Sequence, residues 1–353
     1  MPLDPFFVER LRVHRRYLLG KALKDLRARV AALWNLERTA PTAPASAKAP
    51  AGSPSARARA KHRRAALAWD RTELETVGMA GPPLRTTEHE VPVPGYPAVR
   101  VRVYHPPTAD GLVPGCLTFF GGAFRIGGID YPTTDAACRR RAADSGVAMV
   151  AVDYALAPEH RYPAQVEQAH AALEWLFASA LGLGIDPGRI GVAGTSAGGN
   201  IAAALTLVNR DRGRLPVRLQ ILEVPVLDLT GRHLELSATR ALGIPSLIAL
   251  RELRSVVRTY VPDRADARAP YASPLLAASH AGLPPAVVLT AEYDPLRGDG
   301  AAYAAALRAA GVDASAVRYL GVTHDTPIFA GALPAARRWH ADVVAALRRL
   351  HEN

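Results

Sequence analysis

The chain has 353 residues, two cysteines and a formal net charge of +11 at pH 7. This length suffices for one large α/β domain with a cap, or for two domains. Cys116 and Cys138 lie in apolar or helical surroundings without metal or redox spacing, which predicts buried thiols and gives no support to a secreted disulfide scaffold. No apolar run approaches the roughly 18 residues that span a bilayer, and no signal peptide opens the chain, so we expect a cytoplasmic protein.

The positive charge is concentrated near the N-terminus. Residues 1–70 hold fifteen Lys and Arg against five Asp and Glu, a net of +10, so the rest of the chain carries only +1. A nucleic-acid groove in the main domain would need the charge there. The distribution therefore argues against nucleic acid as a partner.

The N-terminal region predicts two helices and a linker. Residues 5–35 carry apolar side chains near helical spacing with arginines between them, which predicts a basic amphipathic helix broken near Gly20. This helix can pack on the main domain, or it can contact a membrane surface or a partner, and both hypotheses stay open. Residues 41–60 are rich in Pro, Ala and Ser and predict a flexible linker or long loop, followed by a short helix from about His62 to Thr76.

From about residue 88 the pattern changes. The segment EVPVPGYPAVRVRVYHPP predicts two edge strands joined by a tight turn at Pro94-Gly95. Apolar runs then alternate with predicted helices, and the runs are CLTFF, VAMVAVD, IGVAG, LQILEVPVLD, AVVLTAEYD and ASAVRYLG. The helices are predicted near residues 133–145, 163–180, 197–208, 236–260, 299–310 and 335–350. Apolar strands separated by helices indicate a mostly parallel sheet with helices on both faces, which binds ligands beyond the carboxyl ends of its strands.

The segment GVAGTSAGGN places four glycines around Ser196, between a buried strand and a helix. In the G-x-S-x-G elbow, small residues let a strained strand-to-helix turn pack against neighbouring backbone. The turn lifts the hydroxyl into the cleft and points the helix N-terminus at it, which favours developing negative charge. We therefore predict that Ser196 is a nucleophile.

A serine hydroxyl needs a base to become a nucleophile, and the base needs an orienting acid. His324 follows the last predicted strand in YLGVTHD, and Asp294 directly follows the strand AVVLTAEYD. The chain order Ser196, Asp294, His324 is the order found in α/β-hydrolases. Asp299 and Asp325 are nearby rivals for the acid, but neither ends a strand. The segment FFGGAF, after an early strand, predicts a loop whose backbone N–H groups face a substrate oxygen.

Residues 88–350 resemble the hormone-sensitive-lipase-like branch of the α/β-hydrolases, the bacterial family IV esterases. The resemblance rests on FFGGAF, DYALAPEHRYPA, GTSAGG, YASPLLA, AEYDPL and the strand-terminal His324. GTSAGG is similar to the subgroup with Thr before the nucleophile. The resemblance implies an α/β-hydrolase fold, with a basic extension and helical cap in residues 1–87 and a catalytic domain in residues 88–353.

Carried over residue by residue, the resemblance implies that Ser196 is the nucleophile, Asp294 the acid and His324 the base. It implies an oxyanion hole made by the backbone N–H groups of Gly122, Ala123 and Ala197. Two further residues of the same loop, Phe120 and Gly121, would support it. No metal and no organic cofactor is implied. The resemblance also allows a homodimer formed along the last strands of the sheet.

Two positions depart from the family pattern. The family usually has His where this chain has Phe120, and the third glycine of its H-G-G-G motif is here Ala123. An alanine N–H still donates, so the open question is the rigidity of the oxyanion loop. After the base, the family often has Gly-Phe, whereas Asp325-Thr326 here alters the pocket wall.

The sequence thus predicts a serine carboxylesterase that acts on short- to medium-chain esters through an acyl-enzyme on Ser196. An amidase or arylacetamide-deacetylase-type hydrolase could use the same residues. A non-catalytic small-ligand receptor of the same fold is a further alternative. The presence of His324 favours an enzyme, whereas Phe120 leaves the receptor hypothesis open.

Overall fold

The computed structural model describes residues 1–13, 54–107 and 111–352. The chain divides into two compact units, Met1–His62 and Arg63–Asn353. In the first unit, residues 5–13 are helical. The rest of the predicted basic helix, and residues 41–53 of the predicted linker, lie outside the described residues.

An eight-stranded sheet forms the centre of the second unit, in the order β1-β2-β4-β3-β5-β6-β7-β8. The strands are β1 (Thr86–Val93), β2 (Tyr96–Tyr104), β3 (Val113–Phe119), β4 (Ala148–Asp153), β5 (Ile185–Thr195), β6 (Val217–Glu223), β7 (Ala286–Ala291) and β8 (Ala314–Tyr319). The pairs β1–β2 and β2–β4 are antiparallel, and the other neighbours are parallel. The predicted mostly parallel sheet is confirmed. The prediction of two edge strands is wrong for β2, because Arg100–Tyr104 pairs with β4 on its second side.

Most of the helices connect strands, whereas the first precedes β1 and the last follows β8. They are α1 (Pro54–Thr76), α2 (Pro132–Ser145), α3 (Ala164–Ser179), α4 (Ala197–Val208), α5 (Leu236–Ala241), α6 (Ser246–Tyr260), α7 (Arg297–Ala309) and α8 (Pro334–Arg348). The region predicted as one helical stretch, 236–260, forms two helices because Gly243, with φ 67°, and Pro245 interrupt it. No helix in the described ranges is long and apolar enough to cross a membrane.

Helix α1 corrects the predicted linker. It begins at Pro54, so residues 54–60 are helical rather than part of a flexible segment. Proline is tolerated in the first turn of a helix because its missing N–H is not needed there. The following SARARAKHRR supplies the Ala, Arg and Lys that favour helix formation. In residues 54–60 the alanines therefore stabilise a helix, although an Ala-rich composition is also typical of linkers.

The strand order places helices on both faces of the sheet. Helix α2 connects β3 to β4 in one direction across the sheet, whereas α3, α4 and α7 connect strands in the opposite direction. Because parallel crossovers are right-handed, α2 lies on one face and the other three on the opposite face. The direction reverses around β3, so the ends of β3 and β5 open a crevice there.

The centre of the unit is closely packed around helix α4. All twelve residues of α4 are buried, as its apolar sequence AGGNIAAALTLV requires. Cys116 and Cys138 are both buried free thiols, and burial raises the pKa of each to about 12. The raised pKa values disfavour the thiolate form of both side chains at neutral pH.

Candidate active site

Ser196 stands on the sharp turn between β5 and α4. Its backbone has φ 55° and ψ −114°, a conformation that non-glycine residues rarely adopt. The flanking glycines make this turn possible, since a Cβ at Gly194 would lie 2.1 Å from the Gly198 carbonyl oxygen. A Cβ at Gly198 would lie 2.1 Å from the Phe119 carbonyl oxygen. Gly194 and Gly198 thus let the end of β5, the start of α4 and the end of β3 meet beneath the serine hydroxyl.

The structure brings the three predicted side chains together in one hydrogen-bonded chain. His324 Nε2 lies 3.0 Å from Ser196 Oγ, and His324 Nδ1 lies 2.8 Å from Asp294 Oδ2. Asp294 is fully buried, and its Oδ1 accepts the Leu296 N–H at 2.9 Å. Because a carboxylate can only accept, Nδ1 carries a proton, so in the neutral imidazole Nε2 is the nitrogen that can accept the serine proton.

The two rival carboxylates lie outside this chain of hydrogen bonds. Asp299 accepts the N–H groups of Leu227 and Asp228 at 2.7 and 3.0 Å, and burial raises its pKa to about 7. Asp325 is exposed beside His324. Asp299 thus holds the segment after β6 in place, whereas Asp325 lines the cavity and its charge raises the pKa of His324.

The charge balance around His324 favours its protonated form. Burial disfavours the imidazolium, but the charge of Asp294, the hydrogen bond to it and the charge of Asp325 outweigh burial and raise the pKa of His324 to about 9. These charges therefore favour the imidazolium form of His324, in which both ring nitrogens are protonated, in the free site. The neutral form that can act as a base becomes abundant only as the pH approaches 9.

The loop after β3 supplies free backbone donors beside the hydroxyl. Gly122 and Ala123 have φ 135° and 53°, and a Cβ at Gly122 would lie 2.0 Å from the Ile126 carbonyl oxygen. In the described part of the chain, no hydrogen-bond acceptor takes the N–H of Gly122, Ala123 or Ala197. Ala197 opens α4, where an unpaired N–H is inherent to the helix end. These three donors suit a developing oxyanion.

Phe120 and Gly121 hold this loop in place. The Phe120 ring stacks on Tyr154, with centroids 4.1 Å apart and planes inclined by 10°, and the Tyr154 hydroxyl donates to the Phe120 carbonyl at 2.9 Å. A Cβ at Gly121 would lie 3.2 Å from the Thr195 carbonyl oxygen, so the loop runs directly against the elbow. Stacking on a buried tyrosine gives the loop a rigid support without the family's histidine.

Sequence analysis missed Glu223, at the end of β6. Its fully buried carboxylate accepts from Arg141 Nη2 and Trp339 Nε1, each at 2.8 Å, and from Thr195 Oγ1 at 3.1 Å. Its backbone carbonyl accepts the Ser196 N–H at 2.8 Å. Glu223 therefore ties the elbow to helices α2 and α8. The position of Glu223 in the sequence does indicate such a role, because a carboxylate inside the apolar run LQILEVPVLD needs buried hydrogen-bond partners.

A cavity of about 390 Å³ opens at Ser196 and His324. Helix α1 contributes four lining residues, namely Ala66, Trp69, Asp70 and Leu74. Helices α2 and α8 contribute a further group that includes Cys138, Arg140, Arg141, Ala336, Trp339 and His340. Arg63 anchors α1 here by donating to Glu159 at 2.6 Å and to the Arg125 carbonyl at 3.0 Å. The cavity thus reaches from the reactive hydroxyl to the helices on one face of the sheet.

The fold and this site define a hydrolase of the nucleophile-elbow type. A profile described as the α/β hydrolase fold matches residues 116–328. The chain is 38% identical over 280 residues to the carboxylesterase NlhH of Mycobacterium tuberculosis, covering 78% of this chain and 86% of the relative. It is 36% identical over 228 residues to an ethyl acetate hydrolase of Pseudomonas putida, covering 64% of this chain and 70% of the relative.

Solved structures agree with these sequence matches. The thermostable carboxylesterase EstE1, cloned from a metagenomic library, superposes with a TM-score of 0.75 at 38% identity, covering 84% of this chain and 98% of that chain. The protein belongs to the α/β-hydrolase fold family. The predicted hormone-sensitive-lipase-like branch and the predicted class, a carboxylic ester hydrolase, are confirmed, whereas the subgroup with Thr before the nucleophile stays a prediction.

Proposed function

We propose that the protein is a serine carboxylesterase that hydrolyses short- to medium-chain esters through an acyl-enzyme on Ser196. In this proposal His324 is the general base and Asp294 the acid that orients it. The observation that carries the proposal is the hydrogen-bonded chain from Asp294 through His324 to Ser196 Oγ, with distances of 2.8 and 3.0 Å.

The reaction begins with attack of Ser196 Oγ on the ester carbonyl carbon while His324 Nε2 takes the hydroxyl proton. The carbonyl oxygen becomes an oxyanion, which the N–H groups of Gly122, Ala123 and Ala197 stabilise. Asp294 stabilises the imidazolium. Collapse of the tetrahedral intermediate breaks the ester C–O bond, and His324 returns the proton to the departing alcohol.

Water completes the cycle. His324 takes a proton from a water molecule, whose oxygen attacks the acyl carbon, and the second tetrahedral intermediate collapses with release of the acid. The proton returns to Ser196 Oγ. Neither step requires a metal or an organic cofactor, because the donors of the oxyanion loop and the triad supply the charge stabilisation and the proton transfer.

Two arguments support a short to medium chain. A cavity of about 390 Å³ lies near the lower end of the range of roughly 300–1,000 Å³ for small-molecule sites. One of the relatives is named for hydrolysis of ethyl acetate.

We propose further that residues 1–87 form the extension and cap and residues 88–353 the catalytic domain. Membrane contact through residues 5–35, a homodimer and a cytoplasmic location stay predictions.

Hydrolysis of 4-nitrophenyl acetate, butyrate, octanoate and palmitate by the purified protein tests the proposal. We expect kcat/KM to fall towards palmitate, and Ser196→Ala to reduce kcat by about 10⁴-fold or more. An activity that survives in Ser196→Ala would contradict the assignment of the nucleophile. Absence of turnover on every ester, with turnover on the corresponding anilides, would indicate an amidase. Tight ester binding without any turnover would indicate a receptor.

A further inference from the structure

Arg140 is a buried cation on the wall of the cavity. It lies on α2 with 8% of its surface exposed, and its Nη1 donates to the Met79 carbonyl. Its Nε has no hydrogen-bond partner, and within the described residues no carboxylate forms an ion pair with it. Burial, followed by the charge of Arg141, lowers the pKa of Arg140 to about 10, so the side chain is still charged at neutral pH.

The other charged groups on this side of the cavity already have partners. Arg141 pairs with Glu223 at 2.8 Å. Asp70 accepts the Thr133 N–H at 3.0 Å. Asp144, four residues after Arg140 along α2, is exposed and accepts from His340 Nε2 at 2.7 Å. Arg140 therefore differs from Arg141 in having no ion pair among the described residues, although the charge of Asp144, one turn along α2, acts on it from a distance.

A buried guanidinium without an ion pair lowers the stability of the fold, and it is well placed to bind an anion. A buried charge without a partner destabilises the fold unless something compensates it. A guanidinium presents planar donors that match a carboxylate, and the pair gains strength where water is excluded. At the catalytic end, Asp325 is exposed beside His324 and lines the cavity. Among the described arginines that line the cavity, Arg141 is paired with Glu223 and Arg140 has no ion pair, so Arg140 is the group that would attract a negatively charged part of the substrate.

We propose that Arg140 binds a free carboxylate of the substrate, and that the protein prefers esters that carry such a carboxylate. This inference rests on the proposed esterase function and deepens it. Two kinds of ester supply the group. In a dicarboxylic half-ester the carboxylate is on the acyl side of the scissile bond, and in an ester of a hydroxy acid it is on the alcohol side. Both place one anion at a distance from the reacting carbonyl.

Paired substrates measure this preference. On the acyl side, 4-nitrophenyl half-esters of succinic, adipic and suberic acid are compared with the 4-nitrophenyl butyrate, hexanoate and octanoate of equal length. On the alcohol side, butyrate esters of hydroxyalkanoic acids are compared with the butyrate esters of the matching uncharged alcohols. For at least one pair, we expect the charged ester to equal or exceed the neutral one in kcat/KM.

Substitution of Arg140 identifies the residue responsible. Arg140→Met should reduce the ratio of charged to neutral kcat/KM by at least about tenfold, because the anion loses a desolvated partner. Arg140→Lys keeps the charge and should retain more of the ratio than Arg140→Met. Arg139→Met is the matched control, since Arg139 lies next to Arg140, pairs with Asp135 at 2.6 Å and is absent from the cavity wall.

The outcomes separate this inference from the proposed function. If Arg140→Met and Arg139→Met change the ratio equally, or if no charged ester matches its neutral partner, the inference is wrong. If neutral esters are not hydrolysed either, the esterase proposal fails and the carboxylate site is tested by binding. In that case, calorimetry with adipate on Ser196→Ala should give an affinity that Arg140→Met in the same background weakens at least about tenfold. Equal affinities would overturn the inference.

Discussion

The two ends of the cavity are built differently. At the catalytic end, Asp294, His324 and Ser196 are connected by short hydrogen bonds, and glycines allow the elbow and oxyanion loop to touch. At the end formed by α2 and α8, Arg140 keeps an unpaired Nε. The comparison teaches that the first end is complete without substrate, as preorganised catalysis requires. At the second end, the proposed substrate carboxylate would give Arg140 the ion-pair partner that it lacks.

Glu223 joins the two ends. Its carboxylate neutralises Arg141 and accepts from Trp339, and through Thr195 and the Ser196 N–H it also holds the elbow. The same carboxylate therefore holds the turn at Ser196 and pairs with Arg141, whereas it forms no ion pair with the adjacent Arg140.

Asp294→Asn should disable the catalytic end. An amide in this position can present N–H₂ to His324 and favour the wrong tautomer, so we expect kcat to fall by roughly 10³- to 10⁴-fold. Hydrolysis of 4-nitrophenyl butyrate measures the loss. Asp299→Asn is the control, because an asparagine can still accept the N–H groups of Leu227 and Asp228. Equal losses in the two variants would contradict the assignment of Asp294 as the acid.

Glu223→Gln should destabilise the protein, because it removes the carboxylate that links the turn at Ser196 to Arg141 on α2. Arg141 would keep a buried charge without its carboxylate, which costs about 3 kcal/mol in the free energy of unfolding. Urea denaturation measures the change. The matched control is Glu88→Gln, since Glu88 is 44% exposed in its ion pair with Arg102 and such surface pairs contribute about 1 kcal/mol or less. A loss for Glu223→Gln no greater than that of the control would show that the buried pair is not structurally important.

Gly122→Ala should distort the oxyanion loop. The added Cβ would meet the Ile126 carbonyl at 2.0 Å on a backbone with φ 135°, so the loop must shift its donors. We expect kcat to fall by about 10²-fold, the effect of losing one oxyanion donor. Gly182→Ala is the control, because a Cβ there meets nothing within 4 Å. Unchanged kcat in Gly122→Ala would exclude this loop from the oxyanion hole.

The pH dependence of kcat/KM should report the protonation of His324. His324 must be neutral to act as a base, and its pKa is raised to about 9, so kcat/KM should rise with pH until about pH 9. Asp325→Asn removes a negative charge that stabilises the imidazolium, so the midpoint should move to lower pH. The pH profile of kcat/KM for 4-nitrophenyl butyrate, corrected for spontaneous hydrolysis, measures both. A midpoint that moves to higher pH would contradict the role of Asp325.

Much of the catalytic end could be predicted from the sequence. Ser196, Asp294 and His324 each follow an apolar run, and the carboxyl ends of parallel strands share one edge of a sheet. The glycines around Ser196 predict a turn in which backbones touch. The sequence misled where local composition has two meanings, as in residues 54–60, because alanine suits both linkers and helices.

The other end of the cavity was decided by tertiary structure. Glu223 and Arg141 are 82 residues apart, and Glu223 and Trp339 are 116 apart, so their contact depends on how α2 and α8 pack on the sheet. The stacking of Phe120 on Tyr154 likewise joins two strands through the sheet order. Strand periodicity and turn chemistry act over a few neighbouring residues and can be recognised locally. Which buried charge finds a partner, and which one lacks it, depends on distant elements brought together by packing.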